Sequence, residues 1–174
     1  MDETDHWIAT YSLDDGVEVR FRDVRPDDAE QIAEAIRTAS QETILHRFFR
    51  LIEGVPPAQL REMLTIDRSQ EACIAGEMRQ AGARRIVCGA RYIRTENSER
   101  AEIAVTVHDD VQHQGLGTFL LQTLTDLARR DGVREFEAWI LPSNVAMLGL
   151  MKKLFPGHRR HLEGDVYRVI ASLD

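Results

Sequence analysis

Apolar and charged positions alternate with a period of two in "VEVRFRDV" from Val17, the pattern of a strand with one buried face. "RPDDAEQIAEAIRTA" then switches to helical spacing, with Pro26 and three acids where a helix N-terminus favours them. Two shorter helical stretches follow: "SQETILHRFF", opened by Ser40 with Glu42 and Thr43 in its first turn, and "PPAQLREML", led by prolines. Residues 71–79, 84–94 and 101–107 read as three consecutive strands, joined by "QAGA" and "TENSER", linkers of hairpin length. From Gly117 onward, Phe119, Leu120, Leu124, Leu127 and Ala128 share one helical face, and Gly132 ends that helix. "REFEAWIL" predicts a strand over 134–140, "SNVAMLGLMKKL" a helix capped by Ser143 or Asn144, and "HRRHLEGDVYRVIASL" a hairpin turning at Gly164-Asp165.

The order is β-α-α-β-β-β-α-β-α-β-β. The stretch from strand 101–107 through the next helix to strand 134–140 is a βαβ unit, which requires parallel neighbours inside an otherwise antiparallel sheet. The fold class is therefore α/β (α+β), one domain with a mixed, mostly antiparallel central sheet and helices on both faces. A chain of 174 residues, 43% of them apolar, suits one such domain with its own core. The acidic opening predicts a loose N-terminal tail over 1–15, leaving 16–174 as the domain proper.

Charge and cysteine usage narrow the function. A net charge of -7 argues against nucleic acid, whose binding depends on clustered Lys and Arg. No stretch approaches the roughly 18 apolar residues of a membrane span, and the opening has no apolar export core. Cys73 and Cys88 each lie in a strand-like run, as buried thiols of a reducing compartment do, which predicts a cytoplasmic protein.

"HDDVQHQGLGTFLL" places Gly115 and Gly117 between an apolar strand and an apolar helix. The first amides of a helix have no internal acceptor, and its dipole adds about half a positive charge there, so an anion suits the junction. Without Cβ atoms, Gly115 and Gly117 let the N–H groups of Gln112 to Thr118 approach phosphate oxygens closely; a ligand-free, glycine-eased turn is the alternative. A Walker loop fails for want of a lysine after either glycine, and a dinucleotide fingerprint fails at Leu120.

The spacing that fits is Q-x-x-G-x-G, Gln112 to Gly117. It resembles the acetyl-CoA loop, [QR]-x-x-G-x-[GA], of the GNAT superfamily of N-acetyltransferases. The resemblance extends through "AEIAVTVHDDVQHQGLGTFLL", Asn144 after the next strand, and the order of elements. "SQETILHRFF" also resembles the S-P-E-S-x-x-x-R-F-F stretch of the bacterial protein-acetyltransferase (Pat-like) branch.

This resemblance implies acetyl-CoA as cosubstrate and direct transfer of its acyl group, in a ternary complex, to an amine: a protein lysine or a small molecule. It assigns the pyrophosphate to the backbone of Gln112, His113, Gln114, Gly115, Leu116, Gly117 and Thr118. The pantetheine arm would pair with the backbone of Val105, Thr106 and Val107, with Asn144 beyond. Glu102, where relatives carry a basic glutamate, becomes the candidate base, and its apolar run predicts a desolvated carboxyl; a solvent-facing strand glutamate is the alternative. Strict alternation puts Glu102 with Ala104 and Thr106 on one face, unless a bulge intervenes.

The family's N-x-x-A-x-x-x-Y-x-x-x-G-F pattern is broken: counted from Asn144, the tyrosine position holds Met151 and the Gly-Phe position Phe155-Pro156. The usual general acid is thus absent, which leaves an acyl-CoA-binding sensor or regulatory module as the alternative function. Gln114 stands where many relatives carry a cation. His158 and His161 beside Arg159 and Arg160 give no metal spacing, so no metal is expected. Phe48, Phe49 and Trp139 read as core, and His46 and Arg47 fall in the region that contacts the acceptor in this family. A homodimer is compatible with this reading.

Overall fold

The computed structural model describes residues 7–96 and 99–174. Among these, eight strands form one sheet in the order β1-β2-β3-β4-β5-β6-β8-β7. They are β1 (Ala9–Ser12), β2 (Glu18–Asp23), β3 (Glu71–Gln80), β4 (Ala83–Arg94), β5 (Arg100–Val107), β6 (Glu135–Ile140), β7 (Arg159–Glu163) and β8 (Val166–Ser172). β5 and β6 are parallel, and the other neighbours are antiparallel. The helices are α1 (Ala29–Thr38), α2 (Gln41–Phe48), α3 (Pro57–Met63), α4 (Leu116–Arg130) and α5 (Val145–Leu154).

Strand alternation divides the interior into two layers. Ile74 of β3 joins Phe21, Tyr92, Ile103 and Phe136 beneath α4 and α5, whereas its neighbour Ala75 joins Val24, Ala29, Ile86, Leu60 and Leu64 beneath α1 and α3. Helices therefore cover both faces. Leu120, Leu121 and Leu124 of α4 are fully buried, each stabilising by about 1.5–3 kcal/mol, and they fix the helix across the strands that build the site. On the other face, a buried Arg22 makes a two-pronged bond to Asp28 (2.7 and 2.8 Å) and reaches Glu77 at 3.0 Å, tying the start of α1 to β2 and β3.

The expected tail differs most from the structure. Residues 1–6 lie outside the described residues, but Ala9–Ser12 pair with β2 in the register Ala9↔Phe21 to Ser12↔Glu18. Tyr11 packs on Phe119 of α4, ring centroids 5.0 Å apart. "ATYS" is too short and polar for a period-two signal; it is a strand because β2 offers it an edge. All three helical stretches expected after β2 form helices, one more than the two in the written order of elements, and a 3-10 turn at Pro26–Asp28 precedes them. Asn97 and Ser98 of the "TENSER" linker lie outside the described residues.

Two aromatic assignments are corrected as well. Phe49 ends α2 in a left-handed conformation (φ 59°), which turns its ring outward to 46% exposure. Trp139 is only half-buried: it sits on the sheet face opposite Phe136 and Ala138, with the Arg168 guanidinium 5.7 Å from its ring.

Candidate active site

The site begins with two strands that separate. β5 and β6 pair only at Arg100↔Glu135, Ala101↔Phe136 and Glu102↔Glu137, yet β5 runs on to Val107 and β6 to Ile140. On its other side β5 stays paired with β4 without interruption from Arg94↔Ala101 to Cys88↔Val107. The bond from His108 N–H to Val87 C=O, 2.8 Å, sets the alternation: Thr106 bonds toward β4, while Val105 and Val107 aim their backbone groups at the opening toward β6. The sequence grouped Val105, Thr106 and Val107 together; only the first and third present main chain to the gap. Gln112 Nε2 already donates to the Val107 carbonyl at 2.9 Å, so the Val105 N–H and C=O and the Val107 N–H have no strand partner among the described residues.

At the end of β5 a 3-10 turn, Asp109–Val111, leads through residues 112–115 into α4. The Gln112 N–H donates within that turn to Asp109 C=O (3.3 Å), so Gln112 contributes a side-chain brace rather than a free amide. Leu116, Gly117 and Thr118 occupy the first turn, where no intrahelical acceptor exists, and the N-cap is Gly115, which has no side chain to cap them. The 15-residue helix therefore presents bare amides and the positive end of its dipole to this opening. Leu116 itself is fully buried, so only its backbone serves.

The glycines have local reasons too. Gly115 has φ +81°, and a Cβ there would lie 2.5 Å from Tyr11 Oη. That hydroxyl donates to the Gln114 carbonyl at 2.7 Å, while Asp14 N–H donates to Gln114 Oε1 at 3.2 Å, so β1 and its turn brace the loop from behind. A Cβ at Gly117 would meet Leu150 Cδ1 of α5 at 3.3 Å.

A cleft of about 700 Å³ joins these parts. Val105, Thr106, Val107, Gln112, His113, Gly115, Gly117, Thr118 and Asn144 all line it, with His46, Arg47, Ser143 and Leu150 opposite. One wall is α2. Its N-cap Ser40 accepts from Thr43 N–H at 3.1 Å, and Asp109 clamps it by accepting from Ser40 N–H (2.8 Å), Ser40 Oγ (2.6 Å) and Thr43 Oγ1 (2.8 Å). Burial would raise the Asp109 carboxyl, but these bonds outweigh it and hold the group below the ordinary aspartate range. His46 Nε2 and Ser143 Oγ, 3.1 Å apart, connect α2 to the turn before α5. Asn144 is that helix's N-cap, its Oδ1 accepting from Met147 N–H at 3.0 Å. Sequence reasoning missed the Ser40–Asp109 clamp and the Tyr11 brace; the Ser40 N-cap signal was present, but its distant partner was not.

Glu102 is exposed, not desolvated as its apolar run suggests, because it shares the outward face of β5 with Ala104 and Thr106 while Ala101 and Ile103 enter the core. It lies beyond the cleft lining, toward the vertex where β5 and β6 part. The other carboxylates on this face are matched: Glu71 with Arg91 (2.7 Å), Glu135 with Arg100 (2.7 Å) and Glu137 with Arg168. Among the described residues Glu102 has no such partner. Arg47, half-buried on α2, is held below the usual guanidinium value by burial, with Glu102 and Arg91 as charged neighbours and the Cys73 thiol, kept neutral by its own burial, nearby. Met151, at the family's tyrosine position, is fully buried in the core and offers no proton.

An uncapped helix start and an open strand edge, joined by one cleft, fit a diphosphate carrying a chain of amides. The family model described as the acetyltransferase (GNAT) domain matches residues 18–154. The chain belongs to the GNAT acetyltransferases. It is 35% identical over 158 residues to acetyltransferase PA5475 of Pseudomonas aeruginosa, covering 90% of this chain and 84% of that protein. Acetyltransferase Pat of Mycolicibacterium smegmatis is 32% identical over 135 residues, which span 77% of this chain but 40% of that longer protein. The GNAT domain of S. lividans PAT superposes with a TM-score of 0.80 at 26% identity, covering 94% of this chain and 96% of that one. As a GNAT acetyltransferase, the protein is an acetyl-CoA-dependent enzyme. No helix among the described residues is long and apolar enough to cross a membrane.

Proposed function

We propose that this GNAT protein transfers an acetyl group to an amine by direct attack in a ternary complex, with Glu102 as the base. The observation that carries the reading is the parting of β5 from β6 after Glu102, beside an uncapped α4. Gln114, Gly115, Leu116, Gly117 and Thr118, with His113, hold the pyrophosphate through main-chain N–H groups; Val105 and Val107 pair with the pantetheine amides, and Asn144 closes the far wall. When bound, acetyl-CoA supplies an activated acyl carbon whose C–S bond breaks as the C–N bond forms.

An alkyl amine with a pKa of about 10.4 arrives protonated at neutral pH, so Glu102 takes that proton directly or through one water. Its want of a cationic partner supports this role, because a carboxylate already bound to arginine would be a poorer proton acceptor. With Met151 inert, the thiolate leaves unassisted by this helix; its parent thiol pKa of about 8.5 makes that feasible and the proton then comes from solvent. The two free cysteines, Cys73 and Cys88, accord with a reducing, cytoplasmic setting.

The test is release of free thiol from acetyl-CoA across amino acids, polyamines, aminoglycosides and proteins. Turnover with one class supports the reading. Tight acetyl-CoA binding without turnover on any acceptor would contradict it and favour a sensor.

A further inference from the structure

We infer that the acceptor carries a carboxylate beside its amine, as an α-amino acid does, and that Arg47 is the residue that recognises it. The inference rests on the proposed reading of Glu102 as the group that receives the amine. Its own support is charge pairing on the acceptor side of the sheet. The register of β3, β4, β5 and β6 places Glu71, Arg91, Glu102 and Glu137 on one face, and α2 lies over it with Arg47. Arg91 is taken by Glu71, Arg100 by Glu135 and Arg168 by Glu137. With these pairs set aside, Arg47 is the arginine of the cleft without an ion-pair partner among the described residues, and Glu102 on the strand face and Glu42, which also lines the cleft from α2, are carboxylates without one.

Arg47 is the most unusual of these. A half-buried guanidinium commonly meets a carboxylate, since leaving a partly desolvated charge unpaired is costly. Arg47 instead lines the cleft, with its guanidinium 5.2 Å from the Phe48 ring and no carboxylate of the described residues within bonding distance. Burial weakens its hold on its proton, and the charge of Glu102 acts against this without forming an ion pair. The two charges are thus near enough to interact electrostatically, yet form no ion pair. A ligand with an ammonium and a carboxylate on neighbouring atoms satisfies both, its ammonium at Glu102 and its carboxylate forked on Arg47. A polyamine would supply no anion for Arg47, and neither would a lysine side chain in a protein.

The experiment compares each amino acid with its own carboxamide, in which the carboxylate is neutral and the amine retained. In the unmodified enzyme the acid is preferred in kcat/KM by about 10–100-fold, the worth of one charge-assisted hydrogen-bonded pair. Arg47→Gln removes that preference by lowering kcat/KM for the acid far more than for the carboxamide, and Arg47→Lys restores part of it. Equal rates for acid and carboxamide in the unmodified enzyme overturn the inference, and need no variant to fold. So does faster acetylation of lysine-bearing peptides than of any free amino acid. If Arg47→Gln weakens coenzyme A instead, Arg47 serves the cofactor and the inference fails while the proposed reaction stands. If no amine of any class is acetylated, the proposed reaction fails and carries this inference with it.

Discussion

Substituting Gly115 by alanine tests how the loop is held. The new Cβ would stand 2.5 Å from Tyr11 Oη, and the backbone at φ +81° is one that L side chains seldom adopt. A left-handed non-glycine residue costs about 1–2 kcal/mol. Tyr11 must also withdraw, losing its 2.7 Å bond to the Gln114 carbonyl, which adds about 1 kcal/mol. Gly115→Ala should therefore destabilise by about 2–3 kcal/mol in urea unfolding. Tyr11→Phe alone should cost about 1 kcal/mol, and the double variant no more than Gly115→Ala, because the same bond is lost once. The double-variant cycle should thus show about 1 kcal/mol of coupling. Strict additivity, or a cost for Gly115→Ala below about 0.5 kcal/mol, would refute the view that β1 braces this loop.

Glu102→Gln should lower kcat by about 10²–10⁴-fold while leaving the Kd of acetyl-CoA unchanged, measured by steady-state kinetics and calorimetry; an unaltered kcat contradicts the base assignment. Asp109→Asn should destabilise the protein above the ordinary aspartate pKa of about 3.9, and the difference should vanish in acid. The sign follows because the folded carboxyl is held low: its stabilisation is present while ionised and is lost as pH falls through the folded value. Urea midpoints against pH read this directly, and a difference that persists unchanged in acid counts against the clamp. Met151→Ala should cost about 2–5 kcal/mol without a selective loss of kcat, since the side chain is fully buried; a loss confined to kcat would mean that it acts on the reaction.

Much of this was legible in the letters. The β5–α4–β6 unit, the Q-x-x-G-x-G turn and the Asn144 N-cap are local signals, each set by spacing within a few residues, and the structure has them at the expected positions. β1 was not legible, because "ATYS" becomes a strand only through the edge of β2 and the ring of Phe119. The exposure of Glu102 was legible only as the alternative reading: its apolar run suggests burial, whereas alternation groups it with Ala104 and Thr106, and the structure has it exposed. The parting of β5 from β6 depends on how far two distant segments stay in register, and the pairing of Arg91, Arg100 and Arg168 depends on the register of the strands around them. The solitary Arg47 emerges only after those partners are known.

A crystal structure with coenzyme A bound is the decisive measurement. The diphosphate should lie on the amides of residues 113–118, and the pantetheine arm should bond to Val105 and Val107 in the gap between β5 and β6. Coenzyme A seated elsewhere, or a gap closed by β5–β6 pairing beyond Glu102↔Glu137, would contradict it.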